Sequence, residues 1–210
     1  MTLSTSCVYL VGMREKVGEG AGTRAALIRA AAELLEGRGM GAVTLRAVGE
    51  RAGVSRQAPY KHFADKGALL SVVAAGFFGR LGEEMEAAAE GAGEDPLGRL
   101  QAMGEAYVRF ALANPNRYRL MFGPEMRGIP LAEVHEAAHA VYERFVRAVA
   151  DSQEAGRLPV GDPVELAALL YATSHGAVDL ALAGQDGESK GLEDPLALLR
   201  LLLVHLRIGG

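Results

Sequence analysis

Residues 44–66 read TLRAVGERAGVSRQAPYKHFADK, and the reading of the whole chain turns on them. Thr44 precedes Leu45 and Val48, two apolar residues at helical spacing, and is suited to cap that helix. The segment ends near Ala52-Gly53, where glycine tolerates the positive φ of a tight turn. Ser55 then caps a second segment, SRQAPYKHF, whose Pro59 lies at the edge of its first turn, where little hydrogen bonding is forfeited. Two short helices across an Ala-Gly-Val turn make a helix-turn-helix. Its second helix presents Arg56, Gln57, Tyr60, Lys61 and His62, all able to reach phosphates or base edges in a major groove.

The flanking sequence is helical on both sides. Upstream, Thr23 reads as an N-cap, followed by Leu27, Ala30, Ala31, Leu34 and Leu35, with Gly37 and Gly39 as terminators. Downstream, Asp65 caps a long fourth helix with Leu69, Val72, Val73, Phe77 and Leu81 on one stripe, and EGAGEDP interrupts the chain at 90–96. Helices are then expected over 97–113 after Pro96, 115–122, 130–155, 163–183 and 195–207, with a polar, glycine-rich loop at 184–194. Ala and Leu dominate, and no alternation of β-branched residues stands between turn signals, so the fold class is all-α.

Charge divides the chain. Net charge is −4, yet residues 13–66 hold ten Lys/Arg against six Asp/Glu, and residues 67–210 hold twelve against twenty. A basic first third on an acidic remainder suits a polyanion-binding module joined to a body with another task. The single cysteine, Cys7, excludes an internal disulfide and a CxxC metal site. Residues 1–12 lack a basic segment ahead of their short apolar run, and Arg200 and His205 interrupt the apolar stretch at 196–206. The expectation is a cytoplasmic protein with no membrane partner and a mobile tail over residues 1–20, Met13 offering a second possible start.

Residues 23–70 resemble the TetR (tetracycline-repressor) family of bacterial transcriptional regulators, through Thr44, the Ala52-Gly53-Val54-Ser55 turn, Tyr60, His62-Phe63, Lys66 and Leu69-Leu70 in register. Gly49 and Gly67 depart from the pattern, standing where the family prefers stronger helix formers. The resemblance implies a helix-turn-helix domain at 21–66 and a ligand-binding and dimerisation domain at 67–210. In it Thr44, Tyr60, His62 and Lys66 would hold phosphates and Arg56 and Gln57 would read bases. Arg46, Ala58, Pro59 and Lys61 complete the expected DNA-facing set. The carboxy-terminal helices would build an effector cavity and a two-fold interface, with 163–183 and 195–207 forming a four-helix contact between copies. NRYRLMFGPEM (116–126) and Ser174-His175-Gly176 also resemble a subgroup with a Trp-His-Gly signature, of which two residues are kept.

Large adaptable side chains with polar tips are the candidate cavity lining: Met103, Tyr107, Phe110, Tyr118, Met121, Phe122, Met126, Tyr142 and Tyr171, joined by His135, His139 and His175. One competing motif lies here. VHEAAHAVY (134–142) fits the H-E-x-x-H pattern, which on a helix puts two imidazoles on one face with Glu136 as a base. It lacks a downstream third histidine, and nothing marks Glu154 or Glu165 as the missing ligand. The preferred reading is therefore a homodimeric, ligand-responsive repressor acting on a near-palindromic operator, with no enzymatic activity, cofactor or bound metal. A helical zinc hydrolase and a protein-interaction module that does not bind DNA are the alternatives.

Overall fold

The computed structural model describes residues 19–123, 126, 132–184, 192 and 194–207, and the described residues are helical throughout with no strand. Helix α1 spans Glu19–Arg38, a 3-10 turn covers Met40–Ala42, and α2 (Leu45–Arg51) and α3 (Ala58–His62) follow. The remaining helices are α4 (Lys66–Gly91), α5 (Pro96–Ala113), α6 (Pro115–Phe122), α7 (Ala132–Glu154), α8 (Pro163–Leu182) and α9 (Pro195–Leu206). The tail with Cys7 and Met13, and most of the glycine-rich loop, lie outside the described residues. None of the described helices is long and apolar enough to cross a membrane.

Capping explains most of the starts. Thr44 Oγ1 accepts the Ala47 amide at 3.1 Å, and Asp65 Oδ1 accepts that of Ala68 at 2.8 Å. Asp95, Asp162 and Asp194 do the same for α5, α8 and α9, each followed by a proline whose missing N–H is no loss in a first turn. Two expected caps are wrong. Thr23 lies inside α1, which begins at Glu19 despite the glycines there, so Glu19 and Gly20 belong to the helix rather than to a tail. Ser55 does not cap α3, whose N-cap is Gln57 with no side-chain bond; the Ser55 carbonyl instead closes a turn onto the Ala58 amide.

One core runs the length of the molecule. In α4, Leu69, Val73, Phe77 and Leu81 are buried on the expected stripe, while Val72 is half-buried. The amino-terminal part of α4 packs on α1, and its remainder packs most extensively on α5 and α7. Across α5, Glu105 is buried and receives Arg200 Nε from α9 at 2.8 Å, Gln101 Nε2 at 2.9 Å and Arg109 Nη2 at 2.8 Å. The bond from Arg200 is the main reason its carboxyl is held below the usual glutamate range.

Candidate nucleic-acid interface and effector cavity

The helix-turn-helix is assembled by α1, α2 and α3. Gly53 adopts φ +68° in the turn, and the Val54 amide bonds back to the Gly49 carbonyl at 3.1 Å. Gly49 is needed for a reason its helix propensity hides. A Cβ there would lie 2.8 Å from Pro59 Cγ, so glycine lets α3 seat against α2. Pro59 is accordingly buried against that glycine. Phe63 is buried beneath the guanidinium of Arg24, 5.3 Å from the ring centroid, and Arg51 ties α2 to Glu33 of α1 at 2.7 Å.

The polar tip faces outward. Thr44, Arg46, Arg56, Gln57, Tyr60 and Lys61 are exposed, and Ala58 and His62 are half-exposed. Tyr60 is 57% exposed, which leaves its ring and hydroxyl accessible from solvent. Arg46 pairs with Glu50 one turn on at 2.9 Å, both well solvated. Lys66 is half-buried, and its Nζ donates to the Met40 carbonyl at 3.0 Å, bracing the 3-10 turn. Two of its three ammonium hydrogens stay free of that bond.

The second site is a cavity of about 410 Å³ bounded by α4, α5, α6, α7 and α8. Of the candidates, Tyr107, Phe122, His135, His139, Tyr142 and Tyr171 line it. So do Phe78, Leu81, Met85, Gly104, Ala138, Val141, Phe145 and Ser174, which sequence reasoning missed. The phenylalanines and Met85 carry the helical spacing of ordinary core residues, and nothing local separates a core side from a cavity side. Phe110, Tyr118, Met121 and Met126 are buried outside the lining. Met103 instead borders a larger depression of about 650 Å³ walled by Glu83, Glu86, Glu90, Arg99, Arg144 and Arg147 among others, a solvated groove of mixed charge.

His175 stands behind the wall and organises it. The Tyr107 hydroxyl lies 2.7 Å from His175 Nδ1 and the Tyr118 hydroxyl 3.0 Å from the same nitrogen, while Tyr118 donates to Asp179 Oδ1 at 2.8 Å. The Phe122 ring centroid is 5.0 Å from that of His175 and 5.0 Å from that of Tyr118. Burial holds the imidazole below its ordinary pKa against the opposing pull of Asp179, and burial pushes the phenols of Tyr107, Tyr118 and Tyr171 up. The neutral imidazole therefore keeps one nitrogen as an acceptor for a phenol.

The same short α6 also touches the head. Arg117 is buried, forms an ion pair with Glu36 of α1 at 2.6 Å and sits over the Phe77 ring at 5.1 Å, with its Nε unpartnered. Asn116 Nδ2 donates to the Glu36 carbonyl at 3.2 Å.

The H-E-x-x-H residues lie on the exposed side of α7. His135 and His139 lie in the first two turns of α7 rather than mid-helix, both exposed, and His139 Nδ1 stands 3.5 Å from Glu143. Among the described residues no group of three His, Cys, Asp or Glu side chains is arranged to hold a metal ion.

Residues 27–73 match the model of bacterial regulatory proteins of the tetR family, and residues 100–206 match the tetracyclin repressor-like carboxy-terminal domain. A solved structure from Rhodococcus sp. RHA1, of a protein with unknown function, is 33% identical, with a TM-score of 0.76, covering 92% of this chain and 95% of that one. The chain belongs to the TetR family. A TetR-family transcriptional regulator from Pectobacterium atrosepticum is 26% identical with a TM-score of 0.74, covering 93% and 99% of the two chains. Thermus thermophilus FadR, a TetR-family repressor solved with lauroyl-CoA, shares the fold at 19% identity and a TM-score of 0.63, covering 89% and 96%. Among curated proteins none matches. This TetR-family member is thus a DNA-binding transcriptional regulator, and the narrower Trp-His-Gly subgroup finds no support in these matches.

Proposed function

We propose that this TetR-family regulator is a homodimeric repressor that leaves its operator when a small molecule fills the cavity. The observation that carries the reading is the reach of α6. Within eight residues it places Phe122 in the cavity wall, Tyr118 on His175 and Asp179, and Arg117 and Asn116 on Glu36 of α1. A ligand pressed against Phe122 and Tyr107 would shift α6, and α6 holds the end of α1 on which the head is built. Phe77 and Phe78 would carry the same displacement into α4, tilting its amino-terminal half. Binding of ligand and of operator then weaken each other by one common factor. That a repressor of this fold is solved in complex with lauroyl-CoA supports a small-molecule ligand for this chain.

In this reading residues 21–66 are the DNA-binding domain and 67–210 the effector and dimerisation domain. Arg56 and Gln57 read bases, Thr44, Tyr60, His62 and Lys66 hold phosphates, and Arg46 and Lys61 flank them. Dimerisation is supported by exposed apolar residues on α8 and α9: Val164, Leu169, Leu201 and Val204. Such a stripe is a liability on a lone chain and suits a four-helix contact across a two-fold axis.

A titration of the full chain on operator duplex tests this. We expect two chains per site, and the paired substitutions Leu201→Glu and Val204→Glu should yield a monomer with operator affinity lowered by about a hundredfold or more. A monomer that binds as tightly as its parent would refute the dimer.

A further inference from the structure

The chemistry of the cavity wall narrows what can occupy it. Phe78, Tyr107, Phe122, Tyr142, Phe145 and Tyr171 bring aromatic rings from five helices, and among the described lining residues there is no Asp, Glu, Lys or Arg. A carboxylate or phosphate entering here would lose its hydration with no Lys or Arg among the described lining residues to replace it. The two histidines of the lining, His135 and His139, are exposed, and His139 Nδ1 already stands 3.5 Å from Glu143. A cation is also poorly served. Tyr142 meets Tyr171 at an interplanar angle of 76°, and Tyr107 meets Phe122 at 77°. In each pair the edge of one ring is turned toward the face of the other, so that face is already engaged and is less available to an ammonium.

The wall does offer neutral hydrogen-bonding groups. The Tyr107 hydroxyl is committed to His175, but those of Tyr142, Tyr171 and Ser174 form no hydrogen bond with another described residue. Ser174 is buried on α8 at the cavity wall, where a small side chain leaves room and a hydroxyl leaves a donor. A volume of about 410 Å³ falls within the range of small-molecule sites.

We propose that the cavity takes an uncharged ring compound bearing a hydroxyl or carbonyl group. Aromatic edges and faces hold its body, and the hydroxyls of Ser174, Tyr142 and Tyr171 fix its polar end. This rests on the reading of the cavity as the effector site and adds the ligand's chemical class.

The test is calorimetry on the full chain without DNA at neutral pH, with four probes of one ring system: 2-naphthol, naphthalene, 2-naphthoate and N,N,N-trimethyl-2-naphthylammonium. We expect 2-naphthol to bind about tenfold or more tightly than either charged probe and more tightly than naphthalene. Tyr171→Phe should weaken 2-naphthol several-fold and leave naphthalene unchanged, and Ser174→Trp, which fills the cavity, should abolish both. No binding of 2-naphthol, equal or tighter binding of a charged probe, or an equal loss for both neutral probes in Tyr171→Phe would overturn the assignment. Operator release is read separately. Binding with the expected ranking and no release upholds the ligand class and removes the effector role; release driven by a charged probe upholds the effector role and overturns the class.

Discussion

The head and the body solve opposite problems. In the head, short helices α2 and α3 spend their apolar residues on α1 and turn their long polar side chains to solvent, so the working face is convex and exposed. In the body, α4 to α8 surround a space, and the proposed effector site is concave and lined by aromatic rings. An exposed face needs only the right residues at helical spacing. A concave one needs several helices to stop short of one another, which no single helix encodes. The only described ion pair from α6 to α1, between Arg117 and Glu36, joins the two regions.

That contrast is broken most sharply at the joint. Glu36→Ala leaves the buried Arg117 guanidinium without its carboxylate, and we expect a loss of about 3 kcal/mol, at the low end for such a change because Glu36 itself reaches water. Arg117→Met removes the charge and keeps the stem over Phe77, so denaturant unfolding should find it less damaged than Glu36→Ala. Its operator affinity should respond less to ligand than the parent's, by a factor within the usual 5–150 of about 1–3 kcal/mol coupling. An unchanged response would place the coupling elsewhere.

Head substitutions should alter DNA binding alone. Arg56→Ala is expected to cost about 1–3 kcal/mol on the operator and little on random duplex, as measured by anisotropy against both. A uniform loss would move Arg56 to the phosphate-binding group. Lys66→Met sharpens the comparison, because its ammonium already serves the Met40 carbonyl. A phosphate contact predicts a salt slope shallower by about one, whereas a purely internal brace predicts a lower Tm and an unchanged slope.

The smallest effect is a pH effect in the body. His175 has a folded pKa below its unfolded value of about 6.5, so the unfolded chain binds more protons between the two. Its contribution is present above about 6.5 and is lost as pH falls to the folded value. Glu105, held low by Arg200, adds a second loss of the same sign further into acid. In thermal melts across pH, His175→Gln should flatten the first slope and leave the second.

What the sequence disclosed follows the same division. The head was legible because Thr44, Gly53 and Phe63 each do in place what their chemistry dictates locally. The close contact of Pro59 with Gly49 was not legible, since it belongs to two helices and neither residue's type discloses it. Thr23 and Ser55 were good caps by type, yet neighbouring residues carried the helix starts elsewhere. In the body, Tyr107 and Phe122 were found at the wall, but nothing along α6 distinguished the Tyr118 facing His175 from one facing the cavity. Ser174 was read as a missing tryptophan rather than as open space, because a void has no residue of its own.

The account depends most on the head reading a specific site as one of a pair. Selection of bound sequences from random duplex DNA by the full chain tests this directly. The prediction is enrichment of a near-palindrome with half-sites about 34–36 Å apart, one turn of the duplex, and loss of that enrichment in Arg56→Ala. Recovery of unenriched sequence, or of a single half-site with no partner, would contradict it.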